Sequence, residues 1–592
     1  MQLDLKYKVL LFCLSTLLIF LPLNTLLVQF LVVNLGLPVW LTLWKELLAG
    51  LVILICSLEV VQNAKFSFAG IWEYVKLNFV LVLLILMTFV GLINSVGKVG
   101  LNFIIYGFRF ELFWLWLWVM LYTFFKMQNA KVKIGFVSRL LNSVLIGFFL
   151  SSLFSLITIF FGTDNILSFI GYGRQAMQTG SEFLFVQPAG HLIDAGGWNS
   201  SFRLSGTFSS PNHYATYLIL LLPLFITKSL IKFKKQNSKS KIEPKSDNIA
   251  LKDSFTNWLR ILFIEKLDIL YQNRFFWVFC LTLNLIFLGL TFARFSYLVL
   301  FVFLGVLVLA RVYNVLFGGA TPKGETLPLI RDVTNVQHTP FKGSERSSGG
   351  CSPIQNWLKN IVLGLVFLVP LLISLVVLNL PVSFLQSHFP SWLAKPSSTE
   401  WHQQHTAAAF RTLTYESYPN ILENTNLKSE QVLLLSNLQL KNQNPEAIVY
   451  RMLTGYGMGT TDPASKYLPL EQNPIVNLGF GIDDEKYFAR QMERPLATTP
   501  ENWFLGLWVK GGIFYMLLFL GILVYFSRDA RILFHFDGFL ALQKNSKMLK
   551  VLVSLSIFGL IIAGFLLDIF DSQSLALLIG PIYFFYLIFN LE

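Results

Sequence analysis

Apolar runs of eighteen or more residues recur from residue 9 to residue 590, and this recurrence restricts the chain to very few folds. As a helix rising about 1.5 Å per residue, each run can cross a hydrocarbon layer about 30 Å thick. Inside such a layer every backbone N–H and C=O must find an internal partner, so spanning segments are helices or closed barrels. A barrel would show short alternating strands instead of long unbroken runs. Charged residues make up 13% of the chain, against about 25% in an ordinary soluble domain. The expected fold class is all-α, a polytopic membrane protein with about twelve transmembrane helices in 592 residues. The first run, from about Val9 to Val32, is too long for a cleaved leader and lacks a small-residue cleavage site, so it is expected to stay as a helix. The first and fifth runs exceed the length needed and are expected to tilt or break.

The basic residues set an orientation. Residues 228–274 carry eleven Lys/Arg against five Asp/Glu, residues 311–359 six against three, and residues 528–550 five against two. Residues 126–139 add four more positive charges. All four stretches fall on one side if the spans alternate. On the other side, residues 164–203 carry two positive against three negative charges, and residues 381–501 nine against twelve. The basic side is expected to be cytoplasmic, with both termini there. The net charge of +13 is then mostly a topology signal, and nucleic acid is not an expected partner. Cys13, Cys56 and Cys280 lie in apolar runs and Cys351 in a polar loop, so no external disulfide framework is expected.

Three regions follow. Residues 1–380 hold nine spans, with cytoplasmic linkers at about 228–274 and 316–357. Residues 381–501 form one long extracytoplasmic connection, in which Val432–Leu440 and Glu446–Leu453 have amphipathic helical spacing. Residues 502–592 hold three more spans. Connections this long are usually functional.

Polar chemistry gathers at the outer ends of the spans. Arg203-Leu-Ser-Gly-Thr-Phe-Ser-Ser-Pro-Asn-His-Tyr-Ala runs straight into an apolar helix, Arg294 lies between the seventh and eighth spans, and Glu501-Asn502 closes the long connection. Two guanidiniums can grip a diphosphate through paired N–H donors and stay charged at any physiological pH. A carboxylate beside them can take a proton from an attacking hydroxyl. Taken singly, each arginine could instead snorkel to the interface or pair with an acid. Arg174 is a further outer cation that could touch glycan or phosphate. His213 could contact an acceptor, and Asn212 could do the same or cap the helix. Arg109 with Glu111, Lys45 with Glu46, and Asp568 with Asp571 put charge inside apolar runs, where an i, i+2 structural pair and a functional site are both open. His402 and His405 lack an evident third metal ligand, and no metal or cofactor is expected.

These residues resemble the O-antigen ligase and O-antigen polymerase superfamily. The Arg203–Leu222 stretch, with its Arg, Gly-Thr-Phe and Pro-Asn, is similar to the first signature, and Thr291–Ser296 to the second. Glu446–Thr460, with Arg451, Tyr456 and the Gly455-Tyr-Gly-Met-Gly459 turn, resembles the loop element; Glu501-Asn-Trp-Phe-Leu505 followed by Gly511-Gly512 resembles the closing motif. Trp44-Lys45-Glu46 also fits. The resemblance implies a large helical outer loop of the GT-C kind and a metal-independent transfer of glycan from a polyprenyl diphosphate carrier to a glycan, lipid or protein hydroxyl, at the outer face of the cytoplasmic membrane. It implies catalytic roles for Arg203, Arg294 and Glu501, and substrate contacts for Arg174, Asn212, His213, Arg451, Tyr456 and Asn502. Family ligases carry a His immediately before the Asn-x-x-Leu, where this chain has Glu501, and this departure favours a polymerase. A lipid-linked oligosaccharide flippase or transporter is the alternative from another class.

Overall fold

The computed structural model describes residues 5–63, 78–128, 130–161, 193–195, 198–201, 204, 206–208, 211–230, 273–291, 293, 299–300, 410, 413–414, 445–460, 502–527, 545–566 and 573–589. Apart from one hairpin, these residues form helices and their connections. The helices are α1 (Leu5–Phe20), α2 (Trp44–Asn63), α3 (Phe79–Ser95), α4 (Leu101–Gly107), α5 (Phe113–Met127), α6 (Ala130–Phe161), α7 (Pro211–Leu230), α8 (Arg274–Leu290), α9 (Pro445–Thr454), α10 (Trp503–Ser527), α11 (Asn545–Leu566) and α12 (Gln573–Phe589). In the hairpin, β1 (Ile193–Ala195) and β2 (Trp198–Ser201) run antiparallel, with Ile193 opposite Ser201 and Ala195 opposite Trp198.

Among the described residues, five helical stretches are long and apolar enough to cross a membrane: Leu5–Val32, Trp40–Gln62, Leu101–Met127, Arg139–Phe160 and Trp503–Ser527. Shorter apolar helices cover Phe79–Ser95, Phe275–Leu290, Leu552–Ile561 and Gln573–Ile588. Large apolar side chains such as Leu47, Phe89, Leu101, Phe160 and Phe275 stand exposed on these helices, as lipid-facing residues do. The chain is a membrane protein. Two apolar runs expected to span, 295–316 (except residues 299–300) and 358–380, lie outside the described residues, as do the Val432–Leu440 helix, His402, His405, Asp568 and Asp571.

Several spans are interrupted. After α1 the chain tightens into a 3-10 turn, Leu21–Leu23, because Pro22 has no N–H for the helical ladder. A short helix, Asn24–Val28, and a π-helical turn, Gln29–Asn34, follow. The fifth run, expected to break or tilt, is one helix, α6. A second π-helical turn, Phe108–Leu112, joins α4 to α5. Helix α10 bends at Gly512, which adopts φ 81° and ψ 177°.

The centre is aromatic. Trp114 and Trp118 of α5 are fully buried. The Trp118 ring stacks on Phe526 of α10 at 4.2 Å and meets Tyr583 of α12 edge-on at 5.5 Å, while Trp114 meets Phe519 at 5.9 Å. Helix α12 approaches closely because residue 580 is glycine; a Cβ there would lie 3.0 Å from the Trp118 Cα. Cys13, Cys56 and Cys280 are buried free thiols, as their apolar runs predict. Trp118→Ala should cost about 3–5 kcal/mol, the usual cost of emptying a large aromatic site. Thermal unfolding of the purified protein checks this, and Gly580→Val should lower the midpoint as well by pushing α12 off α5.

Candidate functional site

The two glycine-rich motifs, about fifty residues apart in sequence, form one structure. The bend at Gly511-Gly512 frees carbonyls on α10 that would otherwise bond within the helix, and the turn after α9 takes them up. Tyr456 N–H donates to the Val509 carbonyl and Gly457 N–H to the Lys510 carbonyl, each at 2.8 Å, while the Asn94 amide of α3 donates to the Gly511 carbonyl at 2.7 Å. Gly455, Gly457 and Gly459 all adopt positive φ. A Cβ at Gly459 would strike the Phe103 carbonyl, and one at Gly455 the Lys510 carbonyl, so the turn packs backbone to backbone.

Beneath this turn lies a charged pair with no exposed surface. Glu111, in the π-helical turn, and Lys510 of α10 are each 0% exposed, and Lys510 Nζ stands 3.5 Å from Glu111 Oε1. Gly459 N–H donates to the same oxygen at 3.1 Å, and the Tyr515 hydroxyl donates to Glu111 Oε2 at 3.4 Å. Lys510 also sits over the Trp503 ring at 4.8 Å. Thus a carboxylate on the π-turn fixes both the glycine turn and helix α10. Sequence reasoning missed Lys510 and Tyr515. The available signal was a lysine inside an apolar run directly before Gly511-Gly512.

Arg109 and Glu111 do not pair with each other. Residues two apart on a helix face different directions, and the π-turn sends them to different partners. Arg109 bonds Glu46 Oε1 through Nε at 3.0 Å and through Nη2 as well. Lys45 lies 3.7 Å from Glu46 Oε2.

The Gly206-Thr207-Phe208 stretch of the first motif is buried against the break in the first span. The Thr207 hydroxyl donates to the Pro22 carbonyl and lies 2.9 Å from the Ser151 hydroxyl of α6. Gly206 takes φ 56°, and a Cβ there would lie 2.9 Å from the Tyr214 ring, so both the backbone angle and the packing favour glycine. Ser155 in turn donates to the Tyr214 hydroxyl at 3.1 Å. Leu204 N–H donates to the Leu290 carbonyl of α8 at 2.9 Å. A series of polar contacts links this region to the charged cluster: Asn24 donates to the Ser574 hydroxyl at 2.7 Å, and the neighbouring Gln573 to the Arg109 carbonyl at 3.4 Å.

Arg174, Arg203, Arg294 and Glu501 lie outside the described residues. The other five expected site residues are described. Asn212 and His213, both half-buried, sit in the first turn of α7. Pro211 opens that helix, so Asn212 follows the helix start and does not occupy the capping position. Asn502 does cap its helix: its side-chain oxygen accepts from Leu505 N–H at 3.1 Å. Arg451 is buried and donates through Nε to the Leu413 carbonyl at 3.2 Å. Tyr456 packs with Leu413, Leu505 and Val509 in a small satellite core.

Lys98, in the turn between α3 and α4, tethers the end of α9. It donates to the Thr454 hydroxyl at 2.6 Å and to the Gly455 carbonyl at 2.7 Å, and stands over the Tyr450 ring at 4.7 Å. Burial pulls its ammonium from the ordinary 10.5 down to about 8.

Comparison with known proteins gives no match: no family model, no curated protein and no solved structure matches the chain.

Two outcomes are expected. Glu111→Ala should destabilise by about 3–5 kcal/mol by leaving the lysine buried without its anion, whereas Glu111→Gln combined with Lys510→Met should recover most of that loss. Denaturant or thermal unfolding of single and double variants reads the difference. Because the Lys98 pKa falls on folding, the unfolded chain binds more protons between about pH 8 and 10.5. Wild-type stability should therefore rise with pH across this window relative to Lys98→Met and run parallel to it below pH 8.

Proposed function

We propose that the protein is a membrane glycosyltransferase of the O-antigen ligase and polymerase type, acting on a polyprenyl diphosphate-linked glycan at the outer face of the cytoplasmic membrane, with both termini inside. One hydrogen bond carries the reading. Leu204, next in sequence to Arg203, is bonded at 2.9 Å to Leu290, which stands four residues before Arg294. The stretches that bear the two arginines are thereby joined at their described ends. The docking of the glycine turn onto α10 gives further support, since it sets two other motifs of the resemblance against each other.

In this reading Arg203 and Arg294 hold the diphosphate and neutralise the charge that grows on it as it leaves. An acceptor hydroxyl oxygen attacks the anomeric carbon of the donor sugar. The bond from that carbon to the phosphate oxygen breaks, and its electron pair goes to the diphosphate, which remains on the carrier. Glu501 takes the proton from the hydroxyl. The glutamate in place of the family ligases' histidine favours a polymerase, whose acceptor is a second carrier-linked glycan.

Arg203→Ala and Arg294→Ala should each abolish transfer in an assay with purified protein and a defined carrier-linked donor, while membrane insertion persists. Lysine at either position should restore little, because a point charge does not reproduce the two-pronged grip. Glu501→Gln should lower turnover more than donor binding, and added chelator should change nothing. Wild-type transfer by both arginine variants overturns the reading. A flippase would instead leave glycan units on the inner face when the gene is deleted.

A further inference from the structure

The depth of the glycine turn after α9 can be measured along three helices. Lys126, which is exposed, donates to Asn78 at 3.4 Å and to Tyr525 at 3.5 Å, so one end of each of α3, α5 and α10 shares a level. An exposed lysine ammonium puts that level at the headgroups. At about 1.5 Å per residue, Ser95 lies about 24 Å along α3 from Phe79, Glu111 about 24 Å from Met127, and Gly512 about 22 Å from Ser527. The turn meets all three helices at that distance. Met458 N–H donates to the Ser95 hydroxyl at 2.8 Å, Gly459 N–H donates to Glu111, and a Cβ at Gly512 would strike the Leu453 carbonyl. Helix tilt only shortens the vertical distance. A hydrocarbon layer about 30 Å thick, measured from the Lys126 level, therefore extends past the turn.

Two properties of the segment fit such a depth. Irregular backbone inside lipid has to be satisfied by protein. The amides of Gly455, Tyr456, Gly457, Met458 and Gly459 each donate to a protein acceptor: the Arg451, Val509 and Lys510 carbonyls, the Ser95 hydroxyl and the Glu111 carboxylate, in that order. Lys98 donates to the Gly455 carbonyl and the Thr460 hydroxyl to the Gly457 carbonyl. The second property is the outer face of α9. Val449, Tyr450 and Leu453, at helical spacing, make one exposed apolar stripe. Lys98 stands over the Tyr450 ring, and the residues leading up to Lys98 include Ile93 and Val96, exposed apolar side chains at the end of α3. The stripe thus continues the lipid-facing surface of α3. Glu446 lies on the same face of α9 at its opposite end and is exposed.

We propose that α9 and the glycine turn form a re-entrant segment, with Val449, Tyr450 and Leu453 laid against phospholipid acyl chains in the leaflet opposite Lys126. Helix α9 slopes inward: Glu446 stays among the headgroups, where its charge is hydrated, and Leu453 reaches the hydrocarbon. The buried side of the segment closes the bend of α10, and the exposed side is a contact surface for the bilayer. This assignment goes beyond the glycan-transfer reading and does not rest on it, because it uses only the depth and exposure of the segment.

Nitroxide labels on introduced cysteines test this in the full-length protein, reconstituted in vesicles of dioleoylphosphatidylcholine and dioleoylphosphatidylglycerol. The background carries Cys351→Ser and keeps the buried thiols Cys13, Cys56 and Cys280, and its residual signal is subtracted. Labels at Val449→Cys and Leu453→Cys should be relaxed by oxygen, which concentrates among acyl chains, and should lose relaxation by a water-soluble nickel chelate. Their response should match that of Phe89→Cys on the exposed apolar face of α3. A label at Glu446→Cys should respond to the chelate. Relaxation of the Val449 and Leu453 labels by the chelate overturns the proposal and leaves α9 in water. Exclusion of both reagents from both labels overturns it as well, because another part of the chain then covers the face. A Glu446 label that escapes the chelate overturns the slope assigned to α9. Should Leu453→Cys fail to insert, Val449→Cys decides by the same comparison with Phe89→Cys.

Discussion

Backbone hydrogen bonding in a layer without water is the constraint on which this structure depends. A helix that breaks inside such a layer leaves carbonyls without partners, and each costs several kcal/mol unless the protein supplies a donor. The chain breaks its helices in several spans, and donors are supplied at the breaks. Thr207 meets the carbonyl at Pro22. Tyr456 and Gly457 meet those freed on α10, and Asn94 meets Gly511. Positive-φ glycines let the partner backbone come close enough to do this. The irregular, polar end of the bundle is thus a consequence of closing these breaks.

The buried charges follow the same logic. Glu111 and Lys510 could not stand in the interior singly, and the pair together is worth little stability over an apolar replacement. The effect of such a pair is orientation: Glu111 accepts from the Gly459 amide and from Tyr515 while facing Lys510, so it ties the π-turn, the glycine turn and α10 into one arrangement. At the neighbouring cluster Arg109 bonds Glu46 Oε1 and Lys45 stands 3.7 Å from Oε2, so one carboxylate positions two cations.

Much of the fold was legible in the chain because lipid imposes a plain pattern. Long apolar runs gave the helices, and the amphipathic spacing at Glu446–Leu453 gave α9. The glycines of Gly455–Gly459 marked a turn, and the structure shows that Gly455, Gly457 and Gly459 take positive φ in it. Other features were not legible. The separation of Arg109 from Glu111 depends on a π-turn, which has no clear sequence signature, and on partners 63 and 399 residues away. Thr207 read as part of a polar motif, yet it is a buried hydroxyl bonded to the first span. A cap and a substrate contact were both open for Asn212, and Pro211 begins the helix ahead of it, which removes the capping reading.

By itself the sequence determined that this chain forms apolar helices of membrane-crossing length and that residues 455–459 make a glycine-rich turn. Those properties are local: they depend on the composition of some twenty consecutive residues and on the backbone freedom of single ones. Only the tertiary structure decided which interruptions meet, which charges cancel, and which donor satisfies each freed carbonyl. These depend on contacts between residues hundreds of positions apart, such as Asn24 with Ser574 and Ser95 with Met458, and no local pattern encodes them.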